Sequence, residues 1–312
     1  MAYDIIGDIH GQADKLHGLL THLGYRQQRG AYLHPSRTAI FVGDFIDCGP
    51  LQIDSVMTVR RMVDAGSALA VMGNHEFNAI AWHTQDPADE AKGEYLRPHA
   101  GELGAKNRKQ HQAFLAEVED TPVLHKQIID WFLTLPLWLD LPGLRVVHAC
   151  WHDGYMNELR PHLSANLQLS RDLMVAASRE GQMAFRTIEG LTKGLEIELP
   201  EGHSFQDNGG HTRQNVRIRW WDTDATTYRG LAMMPDETRQ LLPDLAVGLD
   251  ARCKYDNAKP VFFGHYWMTG RPVQQTSTAA CVDYSAAISG PLVAYRWDGE
   301  LQLENRNFSS VG

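Results

Sequence analysis

Short apolar runs that end in glycine or histidine set the rhythm of this chain. Tyr3 to Ile6, Thr38 to Val42, Ala68 to Met72, Leu144 to Val147 and Val261 to Phe263 are mostly apolar and rich in Val, Ile and Phe. Apolar side chains at consecutive rather than alternate positions predict strands buried on both faces. Between the first two runs, Leu16, Leu19, Leu20 and Leu23 recur at helical spacing, and Gly24 is placed to cap that helix. A second helical stretch runs from about 53 to 63 and ends near Gly66. Strand, helix, strand, helix, strand over the first 76 residues predicts a right-handed βαβ arrangement.

The remainder is less regular. From about 78 to 139 the chain is polar and then amphipathic, and Ile128, Ile129, Phe132 and Leu135 predict a helix ahead of Pro136. Residues 165–191 read as helical, whereas 193–221, rich in Gly, Pro, Asn and Arg, reads as loop with short strands. Strand character returns at 279–282, 292–297 and 301–303, with Asp298-Gly299 marking a hairpin turn. A second sheet packed on the first is expected to use these strands.

Composition narrows the class. A chain of 312 residues, 43% hydrophobic, can bury a full core as one large α/β domain spanning 1–312, with an insertion at about 153–260. The formal net charge of −9 argues against nonspecific binding to nucleic acid or to an anionic membrane. No apolar run approaches the roughly 20 residues that span a bilayer. The first residues read as a strand rather than a secretory signal. Cys48, Cys150, Cys253 and Cys281 are scattered, as free thiols of a cytoplasmic protein would be.

The polar residues that follow the apolar runs carry the chemistry. They are Gly7-Asp8-Ile9-His10-Gly11, Gly43-Asp44-Phe45-Ile46-Asp47, Gly73-Asn74-His75-Glu76, Val147-His148 and Gly264-His265. Singly, Asp8 or Asp44 reads as a helix N-cap, Asn74 as a turn residue, and His148 or His265 as a buried, hydrogen-bonded histidine. Together the five segments offer Asp, Asn and His donors just past strand ends, where ligands collect in α/β sheets. Oxygen and imidazole donors without thiolate suit hard or borderline divalent cations, which points to a two-metal hydrolase.

In order and spacing the series GDIHG, GDFID, GNHE, a later His and a Gly-His resembles the calcineurin-like metallophosphoesterases. It is most similar to the phosphoprotein phosphatase branch that also contains bacterial diadenosine tetraphosphatases. Ala280-Cys281-Val282-Asp283 followed by Gly290-Pro291-Leu292 is similar to the last strands of the bacterial members. The resemblance implies an αββα sandwich, two packed mixed β-sheets flanked by helices. It implies two divalent metal ions, Mn first and Fe, Zn, Ni or Mg as alternatives. Asp8 and His10 would hold one metal, Asp44 would bridge, and Asn74, His148 and His265 would complete the other. A hydroxide bridging the metals would then attack phosphorus, with His75 as general acid and Asp47 orienting its other ring nitrogen. Glu76 reads as bonding backbone amides of its loop, and His152 as a surface or supporting residue rather than a ligand.

Two departures bear on the substrate. Cys48 and Met72 stand where phosphatases of this branch carry arginines that clamp phosphate, and neither is a bidentate donor. Two residues beyond His265 stands Trp267 instead of a second histidine, which leaves the first metal three protein ligands. Other cations must compensate: Lys193, Arg213 and Arg217 are the candidate substrate-binding residues, with Arg219, Arg229 and the Trp220-Trp221 pair nearby, where guanidinium groups next to indoles would hold a phosphate chain and stack a base. Arg213 comes first because Gly209-Gly210 precedes it. Small phosphorylated molecules or nucleotides are therefore preferred as substrate. A protein Ser/Thr phosphatase acting on phosphoproteins is the alternative, and a catalytically silent metal-dependent scaffold a second.

Overall fold

The computed structural model describes residues 1–88, 93–206, 210 and 212–312. Its frame is two packed sheets. The first contains β1 (Ala2–Ile6), β4 (Arg37–Phe41) and β5 (Ala68–Ala70), all parallel. The hairpin β2 (Arg26–Gln28) and β3 (Ala31–Leu33) lies between β1 and β4 in sequence. The second sheet contains β6 (Trp138–Asp140), β7 (Arg145–Val147), β12 (Val261–Phe263) and β13 (Ala279–Cys281) in the order β13-β12-β7-β6. Its β7, β12 and β13 are parallel, and β6 is antiparallel. Finally β14 (Leu292–Trp297) and β15 (Phe308–Val311) join the first sheet, giving the order β15-β14-β1-β4-β5.

The two-residue period of a strand explains why these runs are apolar throughout. Ile5, Ile40 and Phe262 face the interior between the sheets, together with Val71, Val146, Val282 and Tyr295. Their neighbours Ile6, Phe41, Val261 and Phe263 face the opposite way, under the helices. Those helices are α1 (Ala13–Leu23), α2 (Gln52–Asp64), α3 (Asn74–His83), α4 (Gly101–Val118) and α5 (Pro122–Phe132). Gly24 ends α1 in the left-handed conformation at φ 99°, where a side chain would be strained. No helix of the described residues is long and apolar enough to cross a membrane.

Four expectations need correction. GNHE is no plain loop, because α3 starts at Asn74 itself. The stretch 165–191 is broken into α7 (Arg171–Ala177) and α8 (Met183–Lys193), after the short α6 (Asp153–Leu159). Residues 301–303 form no strand; β14 pairs instead with β15. The late strands also divide between the sheets, β13 to the second and β14 and β15 to the first.

Within 153–260, β8 (Glu196–Glu198) pairs with β11 (Asn215–Arg217), and β9 (Phe205–Gln206) with β10 (Thr212–Arg213). The segment is anchored by Trp220 and Trp221, 1% and 4% exposed. The Trp220 indole N–H donates to the Ala149 carbonyl at 2.8 Å, and Trp221 stacks on Phe263. This pair belongs to the core and offers no face to a base, contrary to the stacking reading. Gly209, one of the glycines singled out beside Arg213, lies outside the described residues.

Candidate active site

Parallel strands bring their carboxyl ends to one rim, and every candidate ligand lies just beyond one. Asp8 and His10 follow β1, Asp44 and Asp47 follow β4, Asn74 opens the helix after β5, His148 follows β7 and His265 follows β12. The loops turn sharply to achieve this. Six of ten left-handed non-glycine residues among the described residues are here: His10, Asp44, Asp47, Cys48, His265 and Trp267, with φ between 49° and 72°. Such conformations cost on the order of 1–3 kcal/mol each and persist only where surrounding bonds fix them. Glu76 is one of those fixings. Its carboxylate accepts from the backbone N–H groups of Asp44 and Phe45 at 2.8 Å and of Gly73 at 2.9 Å. Close approach sets a second constraint, since a Cβ on Gly264 would fall 1.9 Å from Asp8 Oδ1.

Asp44 is the centre. Its Oδ1 accepts the His75 backbone N–H at the start of α3, 2.9 Å away. Its Oδ2 lies 3.7 Å from His10 Nε2, 3.9 Å from His75 Nε2 and 3.2 Å from His148 Nε2. Two groups of donor atoms lie within 4.8 Å of one another: His10, Asp44 and His75 form one, and Asp44, His148 and His265 the other. Asp44 is common to both. Asn74 joins the second through Oδ1, 3.1 Å from His148 Nε2. Asp8 stands beside them, with Oδ2 accepting the His265 backbone N–H at 3.0 Å.

The imidazoles are set with their Nε2 atoms inward. His10 Nδ1 lies 2.9 Å from the Ile46 carbonyl and His148 Nδ1 lies 2.7 Å from that of Val42. A carbonyl only accepts, so Nδ1 carries the proton and Nε2 is left to bind. Buried Asp8 Oδ1, His10 Nε2 and His265 Nε2 have no hydrogen-bond partner. Asp44 Oδ2, Asn74 Oδ1 and His148 Nε2 converge at 3.1–3.2 Å. Lone pairs gathered this closely need positive charge between them, a proton or a metal cation. The donor set fits a pair of divalent cations.

Charge tells the same story. Burial, reinforced by Asp283 and Asp44, pushes the Asp8 carboxyl well above the usual range. Burial also disfavours ionised Asp44, but His148 and His75 more than offset it and hold its pKa well below the usual range. Burial and His75 lower His10 to about 4, while burial, Arg217 and His148 depress His265 strongly. Neutral imidazole is the form that ligates metal. His75 and His148 go the other way: Asp44 and Asp47 outweigh burial and raise His75 to about 9, and Asp44 outweighs burial at His148 and raises it too. His75 Nδ1 is 2.5 Å from Asp47 Oδ2.

The substrate-binding candidates are less gathered. Arg217 on β11 is the nearest in effect, its charge acting on both His265 and Tyr266. Lys193, at the end of α8, is bonded to Glu189 one turn earlier. Arg213 lies exposed on β10 opposite Phe205. Arg219 bonds the Gly230 carbonyl, and Arg229 donates twice to that of Leu242 at 3.0 and 2.8 Å, so both brace the segment. His152 caps α6, its Nδ1 accepting from Tyr155 N at 3.1 Å. Met72 is wholly buried under the helices, and Cys48 is exposed beside Asp47.

Sequence reasoning missed two residues. Gln52 accepts the Asp47 backbone N–H at 2.6 Å. His111, on α4, places Nδ1 2.8 Å from Asp47 Oδ1. The one available signal for His111 was its place in the buried stripe Asn107, His111, Phe114, Leu115 and Val118.

Fold and site together define an α/β protein with paired metal-ligand groups at a strand-end rim. Residues 1–266 match the family model for calcineurin-like phosphoesterases, and the chain belongs to that family. Among curated proteins, bis(5'-nucleosyl)-tetraphosphatase PrpE [asymmetrical] of Halalkalibacterium halodurans is 46% identical over 76 residues, 24% of this chain and 31% of that protein. Its counterpart from Oceanobacillus iheyensis is 42% identical over 160 residues, 51% of this chain and 58% of that one. The chain thus spans between about a third and three fifths of these relatives. A protein serine/threonine phosphatase structure from Saccharomyces cerevisiae is 15% identical, aligned over 100% of this chain and 79% of that one with a TM-score of 0.49. So distant a likeness carries no argument about activity.

Proposed function

We propose that this protein hydrolyses phosphate esters or nucleotide polyphosphates with two divalent metal ions, and that nucleotide polyphosphates are its preferred substrates. The observation that carries the reading is Asp44, one buried carboxylate shared by two groups of metal donors, with His75 poised beside it. Asp8, His10 and Asp44 would hold one cation, and Asp44, Asn74, His148 and His265 the other. Mn²⁺ leads because the set mixes carboxylate, amide and imidazole without thiolate. Bound there, such cations lower the pKa of water and neutralise phosphoryl oxygens.

The protein's own part is to orient and to move one proton. Asp47 fixes the His75 ring through Nδ1, which leaves Nε2, facing the centre, to protonate the leaving oxygen. Glu76 and the first turn of α3 hold Asp44 in place. Arg217 leads Lys193 and Arg213 as the candidate cation for nonbridging oxygens, because its Cδ and the hydroxyl of Tyr266, the residue after His265, flank the same position at Gly194, and its charge acts on His265. The two PrpE relatives, named as asymmetrical tetraphosphatases, support a nucleotide substrate.

A metal-supplemented panel tests this directly. Diadenosine tetraphosphate, p-nitrophenyl phosphate, a phosphodiester and phosphopeptides are compared by kcat/KM with Mn²⁺. The tetraphosphate is expected to lead. Preference for phosphopeptides would make the protein a phosphatase of phosphoproteins, and metal binding without turnover of any substrate would make it a scaffold.

A further inference from the structure

We infer that His111 is a positioning residue for the reaction, holding Asp47 so that Asp47 in turn holds the proton-donating His75. The inference rests on the reading of His75 as general acid and adds a third member to its dyad. Asp47 spans two imidazoles: Oδ1 lies 2.8 Å from His111 Nδ1 and Oδ2 lies 2.5 Å from His75 Nδ1. All three side chains are buried.

A carboxylate tied at one oxygen can still turn about its Cβ–Cγ bond, whereas one tied at both oxygens to fixed partners cannot. The partners are fixed independently. His75 sits in the first turn of α3, and His111 arrives from α4, packed against Phe114 at 5.0 Å. Asp47 itself has φ 70°, and its backbone N–H is held by Gln52 at 2.6 Å. The plane of Asp47, and with it the direction of His75 Nε2, is therefore set from α4. An ionised carboxylate only accepts, so His111 Nδ1 donates.

His111→Phe removes that donor, and His111→Asn keeps one, because an asparagine amide nitrogen falls near the position of Nδ1. Three readouts apply: metal content, kcat and KM on an alkyl phosphate and on p-nitrophenyl phosphate, and the low-field ring N–H resonance of His75 in the metal-free protein. His111→Phe is expected to lower kcat on the alkyl ester about ten- to a hundredfold more than on p-nitrophenyl phosphate, part of the roughly 10²–10⁴-fold that a whole general acid supplies. KM and metal content stay unchanged, and the resonance broadens. His111→Asn recovers most of the rate and the resonance. Should His111→Phe not fold, His111→Gln, whose amide reaches past the Nδ1 position, takes its place with the same expectation. Equal losses on both esters, or Asn no better than Phe, overturn the inference and leave His111 a packing residue. If His75→Asn itself shows no leaving-group dependence, the general-acid reading falls, and this inference with it.

Discussion

The strand-end rim and the segment from 153 to 260 hold their polar residues by opposite means. At the rim, candidate ligands are locked by backbone: Glu76 takes three amide N–H groups, Asp44 and Asp8 each take one, and the chain is forced through left-handed conformations. In the later segment, cations hang on long side chains and are tied to local partners, as Lys193 is to Glu189 and Arg229 to the Leu242 carbonyl. The rim is thus preorganised for charge that arrives, while the segment's cations are engaged by neighbouring side chains and carbonyls.

Substitutions can break or sharpen that contrast. The largest effect is expected at Asp44, the one side chain shared by both donor groups: Asp44→Asn should lower turnover by several orders of magnitude, read by steady-state kinetics with metal in excess. Next is His75→Asn, which should keep its metals but lose about 10²–10⁴-fold on alkyl phosphates and far less on p-nitrophenyl phosphate. An equal loss on both would rule out proton donation. Glu76→Ala strands three buried amide donors, each worth about 1–3 kcal/mol. Urea unfolding of the metal-free protein should show a loss of at least about 3 kcal/mol; a loss below about 1 kcal/mol would mean that the rim is not braced there.

Smaller effects fall in the later segment. Losing a charge-assisted phosphate contact costs about 1.5–3 kcal/mol, so Arg217→Ala should lower kcat/KM roughly ten- to a hundredfold with metal content intact. Arg213→Ala and Lys193→Ala should each change it less than about fivefold, Arg213 being exposed and Lys193 already paired with Glu189. Should Arg213→Ala prove the more damaging, the substrate enters along the β9–β10 hairpin instead.

What could be read from the sequence follows the same division. Apolar runs ending in Gly-Asp or Gly-His carry both the strand and the turn after it, so β1, β4, β12 and the donors beyond them were legible locally. Asn74 was legible as a donor but not as the first residue of α3, because GNHE has turn-forming residues and the helix is completed by Glu76 bonding across to the Asp44 loop. His111 was hidden because a histidine 64 residues from Asp47 meets it only through the packing of α4. Trp220 and Trp221 misled because an indole beside arginine reads alike whether it is a platform or an anchor, and only burial separates the two. β15 was missed because Phe308–Val311 is short, with two adjacent serines, and is specified by pairing with β14 rather than by its own pattern.

The central claim is that one carboxylate serves two metals. Metal content per chain, measured after equilibration with Mn²⁺ and removal of excess, tests it in four proteins. The parent should hold two ions, His10→Ala and His148→Ala one each, and Asp44→Asn none or a small fraction of one. Two ions retained by Asp44→Asn, or a single ion in the parent that His10→Ala and His148→Ala both abolish, would contradict the account.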